Sequence, residues 1–176
     1  LFLRLAPWME VSYPHPQDAP YAFDVAQVAA LLDPHQHEVV FIDGMVERLN
    51  IESIVKRITS INPKILALTT TSSAKLFASG IFKRLKVSLP ETYIVGFGQH
   101  AHYSPHTFLN QSLHIDACVY GEAELTLTEL IKETPRTITE KKNIKGIYYW
   151  DGQLEKTPER PLIIDLNQWP TPRYEI

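Results

Sequence analysis

The chain has 176 residues, 44% hydrophobic and 21% charged, a globular composition and a length suited to one domain with an appendage. Its 17 Lys and Arg against 20 Asp and Glu leave a net charge of -3 without a basic block, which disfavours nucleic acid as a partner. One Cys excludes an intramolecular disulfide, and no apolar run approaches the roughly 18–20 residues that cross a bilayer, so a cytoplasmic protein without a membrane partner is expected.

In chain order, short β-prone runs alternate with segments of helical period, the rhythm of βαβ units in a parallel sheet. Leu1–Ala6 reads as the first strand, and Pro7 to Pro20, with four prolines, as a long ordered loop. Phe23, Val25, Ala26, Val28, Ala29, Leu31 and Leu32 give a helix ending before Pro34. Glu38–Asp43 is the second strand, and Ile51, Ile54, Val55 and Ile58 form the stripe of a second helix that stops at Asn62-Pro63. Ile65–Leu68 is the third strand, and the hydroxyl run Thr69–Ser73 is placed to cap a helix through Leu76, Ile81, Phe82 and Leu85. Thr92–Val95 and Asp116–Tyr120 are the fourth and fifth strands, the latter followed by a helix through Leu125, Leu127, Leu130 and Ile131. Beyond Pro135, Asp151-Gly152 between β-prone runs signals a hairpin, and Pro158 to Ile176 reads as a linker. The expected fold is a doubly wound, flavodoxin-like, five-stranded parallel sheet with helices on both faces over residues 1–135. A β-hairpin and linker follow over 136–176. The start at Leu1 and the end at Ile176 lead us to expect a piece of a longer protein.

Ligands of open parallel sheets bind at the carboxyl ends of the strands, so the loops there carry the functional signal. Ala6-Pro7-Trp8-Met9 after the first strand is neither a Gly-rich dinucleotide loop nor a flavodoxin phosphate loop, and Thr69 and Tyr120 stand where a phospho-receiver needs Asp and Lys. Gly96-Phe97-Gly98-Gln99-His100-Ala101 matches G-x-G-x-x-A but follows the fourth strand. Its glycines read either as a turn or as a place where a bulky ligand approaches the backbone. The hydroxyls Thr69, Thr70, Thr71, Ser72 and Ser73 suit an amide, ribose or phosphate partner. Gly121-Glu122 opens the last helix, where an acid also favours the macrodipole. His100, His102 and His106, and separately His35 and His37, are formal metal-ligand sets. Alternate loop residues need not converge, however, and no carboxylate or thiolate stands at a familiar offset, so no metal site is assigned. Cys118 lies in an expected buried strand.

Taken together these segments resemble the N-terminal cobalamin-binding, Rossmann-like domain of cobalamin-dependent radical SAM enzymes, over nearly the full chain. The matching pieces are the proline-bearing first loop, Pro20-Tyr21-Ala22-Phe23 opening a helix, His37-Glu38-Val39 leading to a strand ended by Asp43, and the hydroxyl-rich third strand end. Phe97-Gly98-Gln99-His100-Ala101 is similar to the family's Gly-Gly-Pro-His-Ala, and Tyr120-Gly121-Glu122-Ala123-Glu124 to its Gly-Glu-Gly-Glu. Gly146-Ile147-Tyr148-Tyr149, Arg160–Leu166 and Trp169-Pro170-Thr171-Pro172 look like the stretch that joins this domain to a catalytic barrel. Two positions depart from the pattern: Phe97 replaces a glycine, with Gly96 offering one a residue earlier, and Ala123 replaces another.

The resemblance implies cobalamin with its corrin over the strand ends and its nucleotide tail in a slot beside the sheet. Thr69, Thr71 and Ser72 would bond the tail, Gly96 and Gly98 would give it room, Gln99 and His100 would lie along it, Gly121 and Glu122 would close the far wall, and Thr70, Phe97 and Trp8 would stand among the cofactor-binding residues. Related methyltransferases and mutases place a cobalt-ligating His in Asp-x-His-x-x-Gly after the first strand. Here His15 is followed by Pro16-Gln17-Asp18, which implies base-off cobalamin without a His ligand, its lower face covered by this loop through Trp8 or Tyr13. One Cys cannot supply the three-cysteine motif of a [4Fe–4S] cluster, so S-adenosylmethionine and the cluster would belong to an absent radical SAM catalytic domain. The chain then reads as the non-catalytic cofactor module of a methyltransferase or cyclase. Two alternatives are a relative that has lost cobalamin and serves in docking, and a small His-cluster metal protein.

Overall fold

The structure, a computed structural model, describes residues 1–4, 22–69, 71–110, 115–134 and 136–175. Its centre is a pair of strands buried on both faces, β3 (Ile65–Thr69) and β4 (Tyr93–Phe97), paired in parallel from Ile65↔Tyr93 to Thr69↔Phe97. Their unbroken apolar runs leave no polar face, and that composition suits a strand covered on both sides. β1 (Phe2–Arg4) pairs in parallel with β3 and with the edge strand β2 (Phe41–Asp43), and β5 (Ala117–Val119) pairs in parallel with β4. The resulting order 2-1-3-4-5 is the expected flavodoxin-like one, with the chain reversing direction across the sheet between β1 and β3.

Among the described residues, two long helices cover each face. α1 (Phe23–Leu31) and α5 (Ala123–Glu133) pack over Phe2, Ala67, Tyr93, Val95 and Phe97 through Val25, Val28, Leu127 and Leu130. On the other face α2 (Ile51–Ile61) and α3 (Lys75–Ser88) bury Ile54, Ile58, Ile81, Phe82 and Leu85 over Leu3, Leu66, Leu68 and Ile94. The Asn50 side chain caps α2 by accepting from the Ser53 N–H at 2.8 Å, and Asn62 ends it in the left-handed region just before Pro63.

Several elements differ from the sequence reading. The hairpin β6 (Ile147–Trp150) and β7 (Leu154–Lys156) is no appendage to a five-stranded sheet. β6 pairs antiparallel with β5 through Val119↔Ile147 and Cys118↔Tyr148, giving seven strands in one sheet among the described residues. The stretch after β7 folds back onto α1, where the Arg173 N–H donates to the Ala26 carbonyl at 3.0 Å. Short helices α4 (Gln99–Tyr103) and α6 (Ile138–Asn143) occupy segments to which the sequence reading gives no element, the latter begun by a capping box between Thr137 and Glu140. The hydroxyl run does not cap α3: a 3-10 turn at Ser72–Ala74 leads in, and the N-cap Ala74 has no side-chain bond. Among the described residues no helix is long and apolar enough to cross a membrane.

At the amino ends of the strands Asp116 ties three elements together. Its carboxylate accepts from the Ile94 N–H at 2.8 Å and from Lys86 Nζ at 3.2 Å, while its carbonyl accepts from the buried Lys141 Nζ at 2.9 Å. Asp116→Ala strands the Ile94 N–H and leaves the Lys86 ammonium with only the Thr92 carbonyl among its described partners, and thermal unfolding should show a loss of about 2 kcal/mol, roughly 4–8 °C in Tm. An unchanged Tm would contradict the assignment.

Candidate functional site

Parallel pairing delivers the carboxyl ends of β1 to β5 to one edge of the sheet. At its β1–β2 side the Arg4 guanidinium grips Asp43, Nε donating to Oδ1 at 3.1 Å with a second contact from Nη2 to Oδ2. Asp43 Oδ1 also accepts from the Met45 and Val46 N–H groups, both at 3.1 Å, so one carboxylate fixes both strand ends and the turn after β2. Neither role was read from the sequence, although charged residues at the ends of adjacent expected strands are the signal that could have revealed it. Trp8, Tyr13, His15 and Thr70 lie outside the described residues.

The β3 and β4 loops are joined by His100, which is 3% exposed and sets its ring edge-on to Phe108 at 5.1 Å. Thr107 Oγ1 gives its only proton to the Ser104 carbonyl at 2.8 Å, so it accepts from His100 Nε2–H at 2.7 Å. Nδ1 is therefore bare and accepts the Ser72 hydroxyl proton at 3.0 Å. Ser72, exposed at the surface, keeps only acceptor capacity for a ligand, while His100 is turned inward as a strut between loops. Thr71 and Ser73 are hydrogen-bonded to each other at 2.9 Å and, like Ser72, exposed, with Thr69 half-buried at the strand end.

The glycines serve unequal ends. A Cβ on Gly96 would sit 3.4 Å from Cys118 Sγ and 3.7 Å from Ala101 Cβ, so its missing side chain admits the α4 side of the core and gives no room to a ligand. Gly98 takes φ 85° and ψ -174° at the start of α4, a backbone conformation that only glycine adopts without strain. Phe97 is fully buried against Phe2, edge to face at 6.4 Å, and contributes only its backbone to the edge. The alternation Tyr93, Val95, Phe97 along a strand is the signal that would have placed it in the core. Gln99 is exposed beside Gly98.

At the end of β5, Gly121 is exposed with φ 75°, and among the described residues nothing lies within 4 Å of where a Cβ would stand. Its N–H donates to His102 Nδ1 at 3.0 Å, which ties the β4 and β5 loops and leaves that N–H unavailable to an anion. Glu122 is exposed at the N-cap of α5 without a side-chain cap bond. Burial raises the pKa of the neighbouring Glu124, opposed by backbone hydrogen bonds and reinforced by Glu122 and Asp24. The described histidines do not converge: His100 and His102 serve separate struts, and no group of three His, Cys, Asp or Glu among the described residues is placed to hold a metal ion. A separate open groove of about 640 Å³ lies at the opposite end of the sheet, lined by Asn62, Lys64, Glu91, Thr92 and Arg136.

The carboxyl edge therefore gathers outward hydroxyls, a positive-φ glycine turn and open space at Gly121, and against this geometry the model of the B12 binding domain matches residues 20–131. The chain belongs to the B12-binding domain family. It is 34% identical over 142 residues to an uncharacterized methyltransferase, PH0819, of Pyrococcus horikoshii, covering 80% of this chain and 31% of that protein. It is 28% identical over 135 residues to the anaerobic magnesium-protoporphyrin IX monomethyl ester cyclase of Rubrivivax gelatinosus, covering 74% of this chain and 24% of the cyclase. In fold it is similar to the cobalamin-dependent S-adenosylmethionine radical enzyme OxsB with aqua-cobalamin and S-adenosylmethionine bound, with a TM-score of 0.75 and 20% identity. That match covers 97% of this chain and 23% of OxsB, so this chain spans about a third or less of the length of these relatives.

The edge fits cobalamin chemically, since exposed hydroxyls can bond its amide-rich periphery and the space at Gly121 admits bulk that a side chain would exclude. The His100 strut also carries a pH dependence. Burial first, then the charges of Lys75 and His106, hold the folded imidazole below its ordinary pKa, so the unfolded chain takes up the proton first as pH falls below about 6.5. Stability is lost on acidification, and the drop in Tm from pH 7 to pH 5 should be smaller in His100→Gln than in the unsubstituted chain. Equal drops would contradict the strut.

Proposed function

We propose that this chain binds cobalamin at the carboxyl ends of β3, β4 and β5 as the cofactor module of a longer cytoplasmic radical SAM enzyme that carries out methyl transfer or cyclisation. The observation that carries this reading is the open carboxyl edge at Gly121 and the Thr71–Ser73 hydroxyls, lying within a segment matched by the B12-binding family. Thr69, Thr71 and Ser72 bond the nucleotide tail, with Ser72 accepting because its own proton is committed to His100. Gly98 shapes the central turn, Gln99 borders it, and Gly121 and Glu122 form the β5 side. Bound cobalamin supplies a cobalt centre able to carry a methyl group.

The cofactor is base-off and without a histidine ligand on this reading. Supporting it, residues 7–20 contain no Asp-x-His-x-x-Gly, and both nitrogens of His100 are engaged within the protein. The segment 136–176 acts as the joint toward the catalytic domain, where S-adenosylmethionine and an iron–sulfur cluster would be held, since one Cys cannot supply the cluster's ligands here.

The test is an absorption titration of the chain with hydroxocobalamin followed by desalting. Colour that stays with the protein and shows the base-off spectrum is the expected result. Colour recovered wholly with small molecules would overturn the reading and favour the alternative of a domain that has lost its cofactor.

A further inference from the structure

The segment after β7 is held more firmly than a linker needs to be. The Gly146 N–H donates to the Pro158 carbonyl at 2.9 Å as the segment leaves the hairpin. Two residues on, Arg160 turns inward: Nε donates to Thr126 Oγ1 at 2.9 Å, and Nη2 contacts the Lys145 carbonyl at 3.3 Å and forms an ion pair with Glu129. Thr126 in turn donates to the Lys145 carbonyl at 3.3 Å, which leaves its lone pairs to Arg160. The crossing is tight, because a Cβ on Gly146 would stand 2.9 Å from Thr126 Oγ1 and 3.6 Å from Arg160 Cβ. Farther along, Gln27 Nε2 donates to the Pro170 carbonyl at 3.1 Å, and Tyr174 meets Phe23 edge to face at 6.2 Å. The segment is thus a strap pinned at α5 and again at α1.

Between the pins, residues 159–163 line a narrow cleft whose other side is Tyr120, Gly121, Glu122 and Leu125. Leu162 lies on that cleft yet is 70% exposed, and Gly121 opposite offers open space. Apolar surface held in place beside a glycine opening, at the edge where the cofactor is proposed, suits a flat apolar group that would cover it.

We propose that residues 159–163 form the outer wall of the cobalamin site, with Leu162 facing the dimethylbenzimidazole tail and Arg160 acting as the positioning residue that pins the wall to α5. This rests on the cobalamin reading above and adds to it a determinant of affinity outside the strand-end loops. Glu159 belongs to the same wall, and its charge, after burial, helps raise the pKa of the Tyr120 hydroxyl.

The test compares hydroxocobalamin affinity across variants of the 176-residue chain. Arg160→Met keeps the aliphatic stem and removes the polar pins, whereas Leu162→Glu leaves the pins intact and puts a charge on an exposed position that cannot disturb the core. Each is expected to raise Kd by about tenfold, the loss of one good contact, with the Tm of Leu162→Glu unchanged. Arg160→Lys, retaining the charge opposite Glu129, should recover part of the loss. If Arg160→Met fails to fold, Leu162→Glu decides alone. A Kd within about twofold of the unsubstituted chain for Leu162→Glu overturns the wall while leaving cobalamin binding standing. Failure of the unsubstituted chain to bind overturns the cobalamin reading and the wall together.

Discussion

Burial of β3 and β4 on both faces is the constraint from which the rest of the molecule follows. Leu66, Leu68 and Ile94 must be covered by α2 and α3, and Ala67, Tyr93, Val95 and Phe97 by α1 and α5, so every crossover has to return its chain to the same end of the sheet. Parallel pairing then places five strand ends on one edge, where backbone groups leave the ladder and side chains escape the core. The proposed site is a consequence of covering both faces.

The segments that follow the strands are tied to one another by a set of cross-links. Arg4 with Asp43 joins β1 to β2, Ser72 with His100 and Thr107 joins the β3 and β4 loops, and Gly121 with His102 joins the β4 and β5 loops. The buried His100 holds two of these segments from within, while the Thr71, Ser72 and Ser73 hydroxyls and the Gly121 backbone lie at the exposed surface. Such an edge is preorganised for a ligand with a large polar periphery, because the ordering of the loops is achieved before binding. Arg160 extends the same arrangement to the C-terminal strap.

The strands and helices were legible where burial writes a local pattern. Leu66-Ala67-Leu68 and the 51-54-55-58 stripe carry their own period, and the rhythm of the chain gave the sheet order through the family resemblance. Partners distant in sequence were not legible. Nothing near Asp151-Gly152 announces that β6 will pair with β5, and nothing near Arg160 announces Thr126 and Glu129. The short helices α4 and α6 carry too few apolar positions for a period. Among the candidate site residues, the exposed hydroxyls and Gly121 stand where a ligand can reach them, whereas Phe97, Gly96 and His100 are used by the core and its struts. A motif reports position along the edge and not which way a side chain turns.

The central claim is that the ligand site is the carboxyl edge and not another surface, and amide chemical-shift mapping by NMR on adding hydroxocobalamin measures this most directly. The account predicts perturbations concentrated at residues 69–73, 97–103 and 120–122, with 159–163 beside them. Perturbations centred on the opposite groove of Asn62, Lys64, Glu91 and Arg136, with the carboxyl edge silent, would contradict it.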